Sequence, residues 1–148
     1  MNPLCDLLAS AQAHDANVRK SAEAQLLTLA TKNTFWMELL NIIASESVEN
    51  NTRLLGAIYL KNMIRKHWKR SDFLAPDEKE SIRRRLCTFF SCNNKLVNEQ
   101  VFQCVAVVAK LDWPRGEFQT LFSTLFEHLS ISQARTNSNT NILLPIEL

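Results

Sequence analysis

Glycine is nearly missing from this chain: Gly56 and Gly116 are the only two in 148 residues. Many-stranded sheets and phosphate-cradling loops both use glycine for tight turns and close backbone approach, so its scarcity favours helices and argues against nucleotide chemistry. Long apolar runs are missing too. Leu54–Leu60 is among the longest, and a membrane span needs roughly 18 residues, so no membrane association is expected. The N-terminus, Met1-Asn2-Pro3-Leu4-Cys5-Asp6, has no basic region ahead of an apolar core and does not read as a secretory signal. The four cysteines, Cys5, Cys87, Cys92 and Cys104, are therefore expected as reduced thiols in a soluble intracellular protein. No charge of one sign dominates. With 17 basic and 15 acidic residues the net charge is +2, so any basic patch must be local.

The usual constellations of catalysis and metal binding are absent as well. His14, His67 and His128 fall on different helices or their ends, and there is no H-x-x-x-H or C-x-x-C pair. Cys87 and Cys92 are placed on different sides of a helix end, and Cys104 falls on an apolar stripe, where cysteine behaves as a small hydrophobe. No acid, base and nucleophile converge. The reading is a non-enzyme, with no catalytic residue, no metal site and no cofactor.

What is present is helical periodicity. Leu4, Leu7, Leu8 and Ala11 make a first short stripe. Asp15 can cap a second helix running to about Thr31, with Val18, Ala22, Leu26 and Leu29 on one face. Asn33 or Thr34 can cap a third, which points Phe35, Leu39, Leu40 and Ile43 one way. A fourth helix, roughly Asn51 to Arg70, carries Leu54, Ala57, Ile58, Leu60, Ile64 and Trp68. Pro76, followed by Asp77, Glu78 and Glu80, starts a fifth that buries Ile82, Leu86, Phe89 and Phe90. Beyond the turn Cys92-Asn93-Asn94, a sixth bears Val97, Val101, Cys104, Val105 and Val108, and a seventh bears Phe118, Leu121, Phe122, Leu125 and Leu129.

The pattern repeats. Asn17-Val18-Arg19 with Ala22 and Leu26 is echoed by Asn51-Thr52-Arg53 with Ala57 and Leu60, and Asn94–Val97 opens the sixth helix some 43 to 45 residues later. A two-helix unit recurring at roughly 35 to 45 residues marks a HEAT-type solenoid. The expected fold is all-α, a HEAT-repeat α-solenoid of about three and a half repeats. Residues 1–129 form the repeat domain. The stretch from Ser130 to Leu148 is small and polar for most of its length and is expected to be a disordered tail.

Charge concentrates on the fourth helix. Lys61, Arg65 and Lys69 form one ridge and Asn62, Lys66 and Arg70 the next, both beside the apolar stripe. The ridge suits an acidic protein surface or nucleic-acid phosphates, and it also reads as a solvated helix face. Arg83-Arg84-Arg85 reads as solvated, with Glu80 pairing to Arg84 at i,i+4. Trp36, Trp68 and Trp113, each near a helix end, read as packing between helix pairs.

Several segments resemble a known family. Asn17–Leu29 (NVRKSAEAQLLTL) looks like the first repeat of importin-β-family nuclear transport receptors. Arg53-Leu54-Leu55-Gly56-Ala57-Ile58-Tyr59-Leu60-Lys61-Asn62, with Ile64 and Trp68, resembles the R-x-x-A-x-x-x-L-K-N core of the second. Lys66-His67-Trp68-Lys69 and Leu111-Asp112-Trp113-Pro114-Arg115 look most like the importin-11 branch. The likeness covers roughly Leu4 to Leu129. It implies a superhelical receptor, working between cytoplasm and nucleus, whose N-terminal repeats bind the small GTPase Ran in its GTP form through the second helix of each pair. More distant repeats hold protein cargo. Carried onto this chain, the resemblance makes Lys61 and Asn62 the first candidates for Ran contact, followed by Arg65, Asn98 and Gln103. The sequence departs from the family after Pro114, where Arg115-Gly116-Glu117-Phe118 replaces a second Trp-Pro, and it stops inside a fourth repeat, which suggests a truncated product. The alternatives are a HEAT scaffold for another protein and, less favoured, a nucleic-acid-binding helical module.

Overall fold

The computed structural model describes residues 2–32, 34–70, 72–88, 93–113 and 127. Among them there are six long helices and no strand. Helix α1 (Pro3–Ser10) starts beneath Asn2, whose Oδ1 accepts from the Leu4 N–H at 3.0 Å, with Pro3 at a position whose N–H would be unpaired in any case. Helix α2 (Ala16–Ala30) is capped as its sequence indicates: Asp15 Oδ1 accepts from the N–H groups of Asn17 and Val18 at 2.8 and 3.4 Å. Thr34 occupies the cap position of α3 (Phe35–Ala44) without a side-chain bond, and Asn33 lies outside the described residues. Helix α5 (Pro76–Cys87) begins with Pro76, Asp77 and Glu78, and α6 (Lys95–Asp112) is capped by Asn94, which accepts from the Val97 N–H at 3.0 Å.

Helix α4 (Asn50–His67) ends earlier than its periodicity suggests. The chain turns after His67, where the Arg70 N–H donates to His67 O at 3.0 Å. Phe73 folds back so that its ring stacks on His67 with centroids 3.9 Å apart and planes 7° from parallel. The seventh helix expected at Phe118–Leu129 (apart from Glu127), the residues Phe89 and Phe90, and the tail 130–148 lie outside the described residues.

Consecutive helices pair as hairpins, α1 with α2, α3 with α4 and α5 with α6, and α4 also packs on α6 and α1. Between the second and third hairpins the same offset appears in both layers. Arg85 donates to Asn41 Oδ1 at 2.7 Å between α5 and α3, and Trp68 Nε1 donates to Asp112 Oδ1 at 2.7 Å between the ends of α4 and α6. Each pair is 44 residues apart, which matches the 43-to-45-residue step that the sequence shows from the fourth helix to the sixth. The echo of Arg19 by Arg53 has a structural meaning too. Arg19 donates to Ala13 O at 3.1 Å and Arg53 Nε to Ile43 O at 2.8 Å, so each guanidinium ties its helix back to the end of the preceding one.

The core runs through Leu8, Leu26, Leu39, Leu40, Ile43, Leu60, Ile64, Ile82, Leu86, Val97 and Val108, all essentially inaccessible. Gly56 lets α4 approach α1 and α3: a Cβ there would sit 3.3 Å from Ile43 Cγ1, 3.6 Å from Leu39 and 3.7 Å from Leu8. Val18 departs from expectation, being 44% exposed. The buried row of α2 is Ala22, Leu26 and Ala30, and each four-residue step turns it about 40°, so Val18 has already rotated out. Leu29, Leu54 and Ile58 are half-buried at the margins of their stripes.

Candidate functional site

Helices α4 and α6 run side by side in the same direction: Cys104 Sγ donates to Ala57 O at 3.7 Å near one end, and Trp68 meets Asp112 near the other. Their buried stripes face each other, which leaves the charged ridge of α4 on the open flank of the seam. There Lys61 Nζ donates to Gln100 Oε1 at 2.8 Å and to Gln103 Oε1 at 3.0 Å. The structure thus brings together two of the five residues singled out above, Lys61 and Gln103. Arg65 stands exposed one turn further along α4. Asn62 is exposed on the opposite flank, where with Lys20, Glu23, Leu27, Tyr59 and Lys66 it lines a groove of about 500 Å³ between α2 and α4. Asn98 is not part of this arrangement. It lies five residues before Gln103, about 140° around α6, in a separate hollow with Asn93, Lys95, Glu99 and Phe102.

Burial, reinforced by Glu23, pushes Tyr59 up to about 12, and the hydroxyl stays protonated. Burial raises the Cys104 thiol to about 12 against the opposing pull of Lys61 and Arg65, and raises Cys87 to about 11. Neither thiol is a thiolate at neutral pH, so neither is primed as a nucleophile. Among the described residues no group of three or more His, Cys, Asp or Glu could hold a metal, and no helix is long and apolar enough to cross a membrane.

A second charged cluster lies where α4, α5 and α6 meet. Asp112 is buried and bonds with both oxygens: Oδ1 accepts from Trp68 Nε1, and Oδ2 from Arg83 Nε at 2.7 Å. Arg83 also reaches Glu80 at 3.3 Å, and Lys79 and Arg83 lie over the Trp68 ring at 5.8 and 5.4 Å. This corrects the reading of the arginine triplet. Arg84 is solvated and pairs with Glu80 at 3.3 Å as expected, whereas Arg83 is buried. Trp36 and Trp68 are packed inside, but Trp113 is 65% exposed, against expectation, because it sits past the end of α6's buried row.

The buried charges Arg53, Lys79, Arg83 and Asp112 escaped sequence reasoning, although a signal existed. Arg53 continues the row Ala57, Leu60, Ile64. Lys79 and Arg83 share the i, i+3, i+4, i+7 row of Ile82 and Leu86, and Asp112 continues Cys104, Val105 and Val108. A charged residue in register with an apolar stripe is a buried charge in search of a partner.

A stack of helical hairpins packed each on the next, with α4 holding Lys61 over its seam with α6, belongs to the class of helical-repeat proteins. Residues 22–91 match the importin-beta N-terminal domain. Importin-11 of Mus musculus and of Homo sapiens are each 33% identical over 127 residues, covering 84% of this chain and 13% of the relative. The importin alpha re-exporter of Saccharomyces cerevisiae is 30% identical over 125 residues, covering 82% of this chain and 13% of the relative. The chain belongs to the importin-β family, of whose members it spans only the N-terminal repeats; it covers 13% of the length of the importin-11 relatives.

Proposed function

We propose that this chain is the Ran-GTP-binding N-terminal region of an importin-β-type nuclear transport receptor working between cytoplasm and nucleus. Its task is to hold another protein, without a reaction of its own, and protein cargo belongs to repeats further along such a receptor. The observation that supports this most is the position of Lys61 and Arg65. Both lie within the segment matching the importin-beta N-terminal domain, on the open flank of the α4–α6 seam, displaying positive charge beside a rigid core.

The test is a binding comparison of the parent chain with Lys61→Glu/Arg65→Glu, using Ran loaded with GTP and with GDP. Reversing two charges at an interface should weaken Ran-GTP binding tenfold or more. Folding free energy should change by only about 0.5 kcal/mol, because neither side chain is buried. Ile64→Ala is the contrasting control, since it opens a cavity in the core and should lower stability first. Binding by the double reversal equal to that of the parent would remove this flank from the Ran interface.

A further inference from the structure

The ammonium of Lys61 has an unusual setting for a surface lysine. It bridges two helices, and both of its acceptors, Gln100 Oε1 at 2.8 Å and Gln103 Oε1 at 3.0 Å, are neutral. Among the described residues no carboxylate pairs with it. A glutamate at either glutamine position would hold the lysine equally well but would cancel its charge. Two amides hold it and leave the charge whole. One of the three N–H donors remains for a third acceptor.

Resting on the Ran reading above, we propose that Gln100 and Gln103 are positioning residues for Lys61. They form a neutral clamp that fixes the ammonium over the α4–α6 seam and points its uncompensated charge at a carboxylate of the docking protein. A free lysine loses side-chain rotamer freedom on binding, at a cost that falls on affinity. Here the hydrogen bonds to α6 impose that order beforehand. The clamp therefore depends on the third repeat being stacked on the second, because Lys61 comes from one and both glutamines from the other.

The experiment uses the chain as it stands, with Ran-GTP as the probe and melting by circular dichroism as the folding check. Gln100→Glu/Gln103→Glu should weaken binding tenfold or more, chiefly by slowing association, and should flatten its dependence on salt. Gln100→Met/Gln103→Met keeps the size but removes the acceptors, and should weaken binding about two- to tenfold. That second loss should vanish when the same pair is introduced into Lys61→Ala, which a merely structural role would not produce. Gln103→Met alone, at an exposed position, serves if the double variant melts early. A loss that persists in the Lys61→Ala background, or unchanged binding by the glutamate pair, would overturn the clamp and leave the Ran reading standing. A parent chain that does not bind Ran-GTP would overturn the Ran reading and the role of the clamp with it.

Discussion

At the scale of single residues, the charges that matter most for folding are the ones the solvent cannot reach. Asp112 serves two donors at once, and removing it takes the 2.7 Å carboxylate partner from Arg83, whose side chain is 6% exposed. Asp112→Ala should therefore cost about 3–5 kcal/mol in urea unfolding. Replacing Arg83 by Met in the same chain should restore part of that, since the buried cation is then removed together with its carboxylate. His67 supplies a dependence on pH. It is buried against Phe73, and burial first, then Arg70 and Lys66, lower its pKa below the usual histidine value, with only Asp72 opposing. The unfolded chain then binds a proton more readily than the folded one. Stability is complete above the ordinary histidine pKa and declines as pH falls through it toward the folded value. The melting temperature of the parent should drop more between pH 8 and pH 5 than that of His67→Phe. Parallel curves would show that His67 is not the group responsible.

At the scale of elements, α4 is the helix on which the others depend, packing on α1, α3 and α6. At Gly56 it comes close to α1 and α3, and the space above it is too tight for a branched side chain. Gly56→Val would drive methyl groups against Ile43, Leu39 and Leu8, and overpacking of this kind costs about 1–3 kcal/mol. Any gain in helix propensity over glycine is smaller than that. Unfolding by denaturant should show the loss. A stability equal to the parent's would mean that α1 and α3 can move aside. Helix α4 also explains why the site was partly legible beforehand. The spacing of Lys61, Asn62 and Arg65 places them off the apolar stripe, and that is where they are. Their division between two flanks, and the transfer of Asn98 to a third surface, depend on which helices sit on either side.

At the scale of the whole molecule, stability comes from stacking between neighbouring hairpins, because each pair buries its apolar face only with the next. The ties are long in sequence and short in space: Asn41 to Arg85, Lys61 to Gln100 and Gln103, Trp68 to Asp112. With α4 common to so many of them, the described repeats should unfold together. Far-ultraviolet dichroism and tryptophan fluorescence, which reports on buried Trp36 and Trp68, should give coincident transitions. Fluorescence changing well before the dichroism would show that the third repeat peels away first, with the Trp68–Asp112 contact breaking at the edge.

Sequence alone determined the helical class, the helix starts at Asp15, Pro76 and Asn94, the apolar rows and the repeat. Each is set by local periodicity or by a cap reaching only two or three residues along the chain. It also carried enough of the family pattern to point to Lys61. Only the tertiary structure decided that Arg53, Arg83 and Asp112 are inside, that α4 stops at His67, and that Lys61 is held by two amides from the next repeat. Those outcomes turn on partners 6 to 44 residues away. A charge becomes buried when a distant element supplies its partner, a carbonyl for Arg53 and a counter-charge for Arg83 and Asp112. Helix α4 ends where a later ring, Phe73, stacks on its last residue. Periodicity along one helix contains neither fact, because both are properties of the space between helices.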